Sequence, residues 1–226
     1  VFRERHVPNP LVPARLLADW TFRQGAISNL IGTTAYFLMW FLFPFYIADA
    51  LGRDSIALGA MLATMGALTF VGSTIGGWLA DRLGDRAMTI VGSIATAGGL
   101  LWMSQIDETA TLPEVALRAG AIGLAFGIHQ SSVYALTMRH VQPHMVSAAS
   151  ATLAVMQTIG TVVSVSIGTM IFTWREDAAL ERGLSETGAF IDAYSDAFLA
   201  ATAVAVLAAV VVVGRSAKRE GAPTGE

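Results

Sequence analysis

The sequence contains no cysteine and little charge. Without cysteine there are no disulfides, no thiolate metal ligands and no cysteine nucleophile. Charged residues make up 14% of the 226 positions, whereas a soluble domain carries about 25% to cover its surface. Catalytic motifs are missing as well. There is no His-Glu-x-x-His zinc pattern, no Gly-x-x-x-x-Gly-Lys phosphate loop and no Gly-x-Ser-Gly nucleophile pattern, which leaves enzyme readings without a site. His6, His129, His140 and His144 form no ligand set, and Pro143 makes a shared helical face for the last two doubtful. No large basic surface is encoded, which excludes nucleic acid as a partner. The expectation is a protein that is not an enzyme and holds no cofactor and no metal.

What is present is apolar. Hydrophobic residues reach 54% and the mean hydropathy is +0.58. The charges sit in short clusters between apolar runs of about 20 residues, the length a helix needs to cross a hydrocarbon core of roughly 30 Å. Six runs read as membrane helices, near 26–48, 57–80, 87–105, 115–137, 148–173 and 194–214. Alternating ten-residue strands are absent, so a barrel is excluded, and helices remain as the way to satisfy backbone polar groups in lipid. The fold class is all-α, a polytopic protein with the lipid bilayer as its solvent. Residues 1–25 read as a cytoplasmic linker, 26–214 as the six-helix bundle and 215–226 as a cytoplasmic tail.

The opening from Val1 has no apolar core or small-residue cleavage site, so no secretory signal peptide is read there. Pro8, Pro10 and Pro13 break regular structure. The stretch from Leu11 to Trp20 is either an interfacial amphipathic segment, with Trp20 and Phe22 at headgroup level, or an ordered cytoplasmic linker. Ten Lys and Arg fall in segments on one side of the six spans and three in loops on the other, the acid-rich loop 174–193 among them. That bias places both termini inside a cell membrane.

Small residues four apart mark where helices approach closely in lipid. Gly72 and Gly76 do so on the second span, Gly123 and Gly127 on the fourth, and Gly160, Ser164 and Gly168 on the fifth. Each stripe is either ordinary helix packing or a functional hinge, and together they predict a tight bundle.

Between the second and third spans runs Gly77-Trp78-Leu79-Ala80-Asp81-Arg82-Leu83-Gly84-Asp85-Arg86. This string resembles the signature cytoplasmic loop of the major facilitator superfamily. Gly77 is expected to permit close helix approach and Gly84 a positive φ in the tight turn. Asp81 occupies the acidic position, while Arg82 and Arg86 hold the loop on the cytoplasmic side. Asp85 departs from the pattern, which usually has a basic residue there, so Asp81 is expected to matter more than Asp85. The segment Phe41–Ile47, then Leu51–Ser55 and Gly59, looks like the entry to the C-terminal half of EmrB/QacA-type drug:proton antiporters. Ala148–Ala151 followed by Gln157, Gly160 and Gly168 resembles the same branch, with Met156 where Arg is frequent.

The resemblance implies that six helices are half a transporter, one bundle of two inverted three-helix repeats. The chain then reads as a C-terminal fragment or truncated product. Its partner is a complementary N-terminal bundle or a second copy, and its ligand is a small-molecule substrate. No Asp, Glu, Lys or Arg lies mid-span, and the resemblance puts the proton-carrying acid in the other half. The mid-span polar and aromatic groups left to line a cavity include Asn29, Thr33, Tyr36, Trp40, His129, Gln130 and Gln157. His129 is either an interhelical hydrogen-bonding group or a proton or substrate site. The aromatics of the first span either line a pocket for apolar cations or face lipid. Two functions stay open: a proton-coupled exporter module, or a structural or regulatory membrane subunit that kept the fold without transporting.

Overall fold

The computed structural model describes residues 16, 18–106, 110–139 and 141–213. Most of the expected N-terminal linker, the expected tail 215–226, His6 and His140 lie outside the described residues.

Six helices follow one another, α1 (Trp20–Phe45), α2 (Ser55–Leu83), α3 (Asp85–Met103), α4 (Leu112–Met138), α5 (Val146–Glu181) and α6 (Glu186–Val213). α1 starts six residues earlier than the hydropathy suggests. Asp19 caps it by accepting from the Phe22 N–H at 3.0 Å, and Gln24 donates to the Val211 carbonyl at 2.8 Å. A polar turn that reads as linker is thus anchored on α6, and Phe22, at headgroup level in one of the two readings of this stretch, is buried in a cluster with Ala149 and Leu153 of α5. Near the other end Pro44 cannot donate to the helix ladder, and the helix passes into a π turn over Tyr46–Ala50.

The two hairpin corners that change direction in the fewest residues both use glycine. Gly84, at φ 94°, joins α2 to α3 in a single residue, and Gly183, at φ 85°, sits between α5 and α6. The second corner corrects the sequence reading. The acid-rich stretch 174–193 is not a loop but the helical end of an α5–α6 hairpin. Its charges pair across the hairpin, Arg175 with Asp196 and Arg182 with Asp192. Ala179 is fully buried between the helices, and Phe172 meets Phe190 edge-on at 5.1 Å. α5 therefore has 36 residues, about 54 Å at 1.5 Å per residue, well beyond a hydrocarbon core.

α1, α2, α5 and α6 are long and apolar enough to cross a membrane by length and composition alone. α3 and α4 are less apolar because they carry the buried polar groups Thr89, Ser93, Thr96, His129, Ser132 and Thr137. The order of packing is pseudo-twofold. α2 packs on α4 as α5 packs on α1, α3 packs on α4 as α6 packs on α1, and α1 meets α4 at the centre. Exchanging the first three helices with the last three reproduces the arrangement. The starts of α1 and α3 and the ends of α2, α4 and α6 share one end of the bundle, as the Gln24–Val211 and Asp85–Arg139 contacts require. The main core lies toward the other end, around Tyr46, Tyr194, Phe198, Met39, Leu100 and Ile122.

Candidate functional site

Two helix crossings set the backbone of the site. At the first, α2 and α4 touch through their glycines. A Cβ at Gly72 or Gly127 would collide with the backbone of Leu124 or Thr69, one at Gly76 would lie 2.6 Å from Ile128 Cα, and one at Gly123 2.7 Å from the Met65 carbonyl oxygen. At the second, α5 lies on α1, with Gly160 against the Leu30 carbonyl, Ser164 buried and Gly168 against the Leu38 side chain. Gly77, expected at a close approach, has nothing within 4 Å of its Cβ position. The contact is made one residue earlier, and Gly77 stands on the free side of α2.

These crossings bring four of the cavity candidates to one level in the seam between α1, α4 and α5. Asn29 donates to the Leu153 carbonyl at 3.3 Å, Thr33 faces Gly160, and Tyr134 donates to Gln157 Oε1 at 3.4 Å. Gln130 stands one turn from Tyr134 on α4. Asn29 and Thr33 are fully buried, and Asn29 Oδ1, Thr33 Oγ1 and Gln130 Oε1 meet no hydrogen-bond partner among the described residues. The seam thus offers neutral acceptors and amides and no charge.

The other candidates sit elsewhere. Tyr36 is inside the bundle, stacked on Phe126 at 3.8 Å with its hydroxyl 3.1 Å from Thr69 Oγ1, so it ties α1 to α4 and α2. His129 is 1% exposed, and its Nδ1 lies 2.9 Å from Ser93 Oγ. The ring fills a slot between Gly32 of α1 and Gly92 of α3, where any Cβ would strike it or its backbone. His129 therefore lines no open cavity. Trp40 is half-buried, in the same aromatic run as Phe37 and Phe41.

In the loop Gly77–Arg86 the two acids differ in burial and pairing. The Asp81 side chain is 81% exposed and 3.9 Å from Arg139. Asp85, the residue that departs from the family pattern, is 4% exposed and pairs with Arg139 at 2.6 Å. Arg82 lies over the Trp78 ring at 3.8 Å, and Arg86 donates to the Val212 carbonyl, closing the end of α6. The Asp85–Arg139 pair was missed because its halves lie on different helices. A second unanticipated group, Arg118, pairs with Glu114 at 2.5 Å and donates to the Trp102 carbonyl at 3.0 Å. Its signal was an acid and a base four apart on one helix.

Several known proteins resemble this chain. A triacylglyceride transporter of Mycolicibacterium smegmatis is 27% identical, over 76% of this chain and 36% of its own length. The multidrug resistance protein B homolog of Mycobacterium tuberculosis is 20% identical, over 77% of this chain and 32% of its own. The multidrug transporter MdtP of Bacillus subtilis is 28% identical, over 55% and 23%. The matched region is thus about a third or less of each of these relatives. The sequence profile of the Major Facilitator Superfamily matches residues 25–226. With that profile over nearly the whole chain and two interleaved three-helix repeats in the fold, this chain belongs to the major facilitator superfamily, a family of membrane transporters and not of enzymes.

Proposed function

We propose that this bundle is the C-terminal half of a proton-coupled exporter of lipophilic molecules and works against a second six-helix bundle. The observation that carries the reading is how little of α2 and α5 is used. α1 is buried along most of its length, but α2 and α5 each bury one narrow strip, Met61 to Ala80 and Ala149 to Ala179. Their other faces expose Phe70, Ile75, Val155 and Val162. By the pseudo-twofold they flank the α1–α4 centre on either side, as two faces awaiting a second bundle would. Superfamily transporters bind substrate near the midplane between such bundles, which makes the α1–α4–α5 seam this half's share of the site.

The chemistry of the seam supports the substrate class. Asn29, Thr33, Gln130 and Gln157 are uncharged, and the neighbouring α1 surface carries Phe37 and Trp40. A charged substrate would find no counter-ion there, and desolvating it would be costly. The relatives' names, transporters of triacylglyceride or of several drugs, agree with an apolar cargo. The proton carrier belongs to the other bundle in this reading, because His129 is closed off between Gly32 and Gly92.

Proteoliposomes with an imposed pH gradient test the proposal, with a fluorescent acylglycerol and an uncharged lipophilic dye as cargo. The chain alone is expected to move neither, and co-reconstitution with a complementary N-terminal bundle to restore movement. Transport by the chain alone, lost in His129→Ala, overturns the half-transporter reading. Inactivity with the complementary bundle present overturns it in favour of a structural subunit.

A further inference from the structure

We infer that the splayed α2–α3 pair seats the acyl chain of a membrane lipid from the leaflet opposite the signature loop. α2 and α3 meet at the one-residue turn of Gly84 and pack on each other only sparsely. Away from that turn α4 shows between them as the floor of an apolar groove of about 850 Å³. Thr64 and Leu68 form one wall, Ala95, Gly98 and Trp102 the other. The floor runs along α4 from Pro113 to Ile128, about 22 Å at 1.5 Å per residue. Half of a hydrocarbon core is about 15 Å, so the groove takes a chain through the full depth of one leaflet.

Length and width select the occupant. A helix with its side chains is 10–12 Å across and would enter the groove with one face only, leaving most of its bulk outside. A slim hydrocarbon chain fits. The groove is continuous with the bilayer-facing surface, since Val91, Ile94 and Leu101 of α3 are exposed beside it. Its depth comes from missing side chains, and the Cβ position of Gly98 has nothing within 4 Å.

Where the groove reaches the start of α4 the chemistry turns polar. Arg118 lies 5.4 Å from the Trp102 ring centre, donates to the Trp102 carbonyl and pairs with Glu114. Tryptophan beside a fixed ion pair marks the headgroup level, which sets the lipid's glycerol above Trp102 and its chain below. The groove is separate from the seam. Ile128 and Gln130, two residues apart on α4, point about 160° away from each other. The site therefore rests on membrane embedding and not on the proposed transport.

Native mass spectrometry from nanodiscs of phosphatidylglycerol and phosphatidylethanolamine with one defined acyl composition tests this site. The chain is expected to retain one lipid through detergent release. Gly98→Phe fills the open groove and is expected to weaken retention about tenfold, or 1.4 kcal/mol. Val206→Phe, exposed on α6 and outside the groove lining, keeps the lipid. Ala121→Phe, from the floor, is a second filling variant should Gly98→Phe not fold. No retained lipid, or equal retention in the filling variants, overturns the site. So does a dimer that the filling variants split, which would assign the groove to a second copy.

Discussion

At the scale of single residues, the histidine that most invites a functional role is fully buried. His129 hydrogen-bonds Ser93 and is flanked by two glycines from different helices. The enclosure differs on its two sides. An added Cβ at Gly32 strikes the imidazole, whereas one at Gly92 strikes the backbone of residue 129. Overpacking costs about 1–3 kcal/mol, and a helical Gly→Ala gains up to about 1 kcal/mol where there is room. Gly32→Ala is therefore expected to destabilise the wild type but to be neutral or favourable in a His129→Ala background. Gly92→Ala should destabilise both. Thermal midpoints of the two double-mutant cycles decide, at about 2–4 °C per kcal/mol for this chain length. The loop acids carry a second expectation. Asp85 is buried against Arg139, and Asp81 stands in solvent. Breaking a buried pair costs about 3–5 kcal/mol; because Arg139 is itself half exposed, about 1–3 kcal/mol is expected for Asp85→Asn. Asp81→Asn should leave the thermal midpoint within about 1 °C. Equal midpoints for the two variants would remove the stabilising role assigned here to Asp85.

At the scale of elements, one substitution made twice on α2 has opposite expected effects. Gly72→Ala drives a methyl into the Leu124 backbone, and neither helix can yield without opening the crossing. It should cost about 3 kcal/mol or prevent folding. Gly66, six residues away, has nothing within 4 Å of its Cβ position, and Gly66→Ala should raise the midpoint through helix propensity alone. Loss of stability in both would mean that α2 is packed on its free side too. Both glycines are visible in the sequence, and so are the apolar runs, because periodicity and spacing report local patterns. What the sequence did not reveal depends on which helices meet. Asp85 and Arg139 lie 54 positions apart, and nothing local marks them as partners. The stretch 174–193 reads as a loop because hydropathy scores Arg175 and Arg182 as solvated, although Asp196 and Asp192 neutralise them across the hairpin. Gly77 and Gly76 are equally small, and only the phase of the crossing tells them apart. Among the cavity candidates, residue type was legible but direction was not. Tyr36 and His129 turn into the bundle while Asn29, Thr33, Gln130 and Gln157 gather at the seam.

At the scale of the whole molecule, the fold fixes which ends share a side, and the charges propose which side that is. The Gly84 turn, the end of α4 and the end of α6 lie together, held by Asp85–Arg139 and Arg86–Val212. Thr111, Arg53 and the Gly183 corner lie at the opposite end. The first end gathers Arg82, Arg86 and Arg139. At the second, Arg175 and Arg182 are paired with acids, which leaves still less free positive charge there than their number suggests. Since Lys and Arg resist translocation, the Gly84 end should face the cytoplasm. The absence of cysteine allows a direct measurement. Single cysteines replace Leu83, which is exposed beside the Gly84 turn, Thr111 and Ser185 in turn, and whole cells are treated with a membrane-impermeant maleimide. Thr111→Cys and Ser185→Cys should label in intact cells, and Leu83→Cys only after permeabilisation. Labelling of Thr111→Cys and Leu83→Cys from the same side would contradict the helix order itself, because α3 is the one helix that separates them along the chain. Reversed labelling of all three would keep the fold and overturn the orientation. It would also move the Asp81–Arg86 loop to the outside, where the resemblance that first identified it has no counterpart.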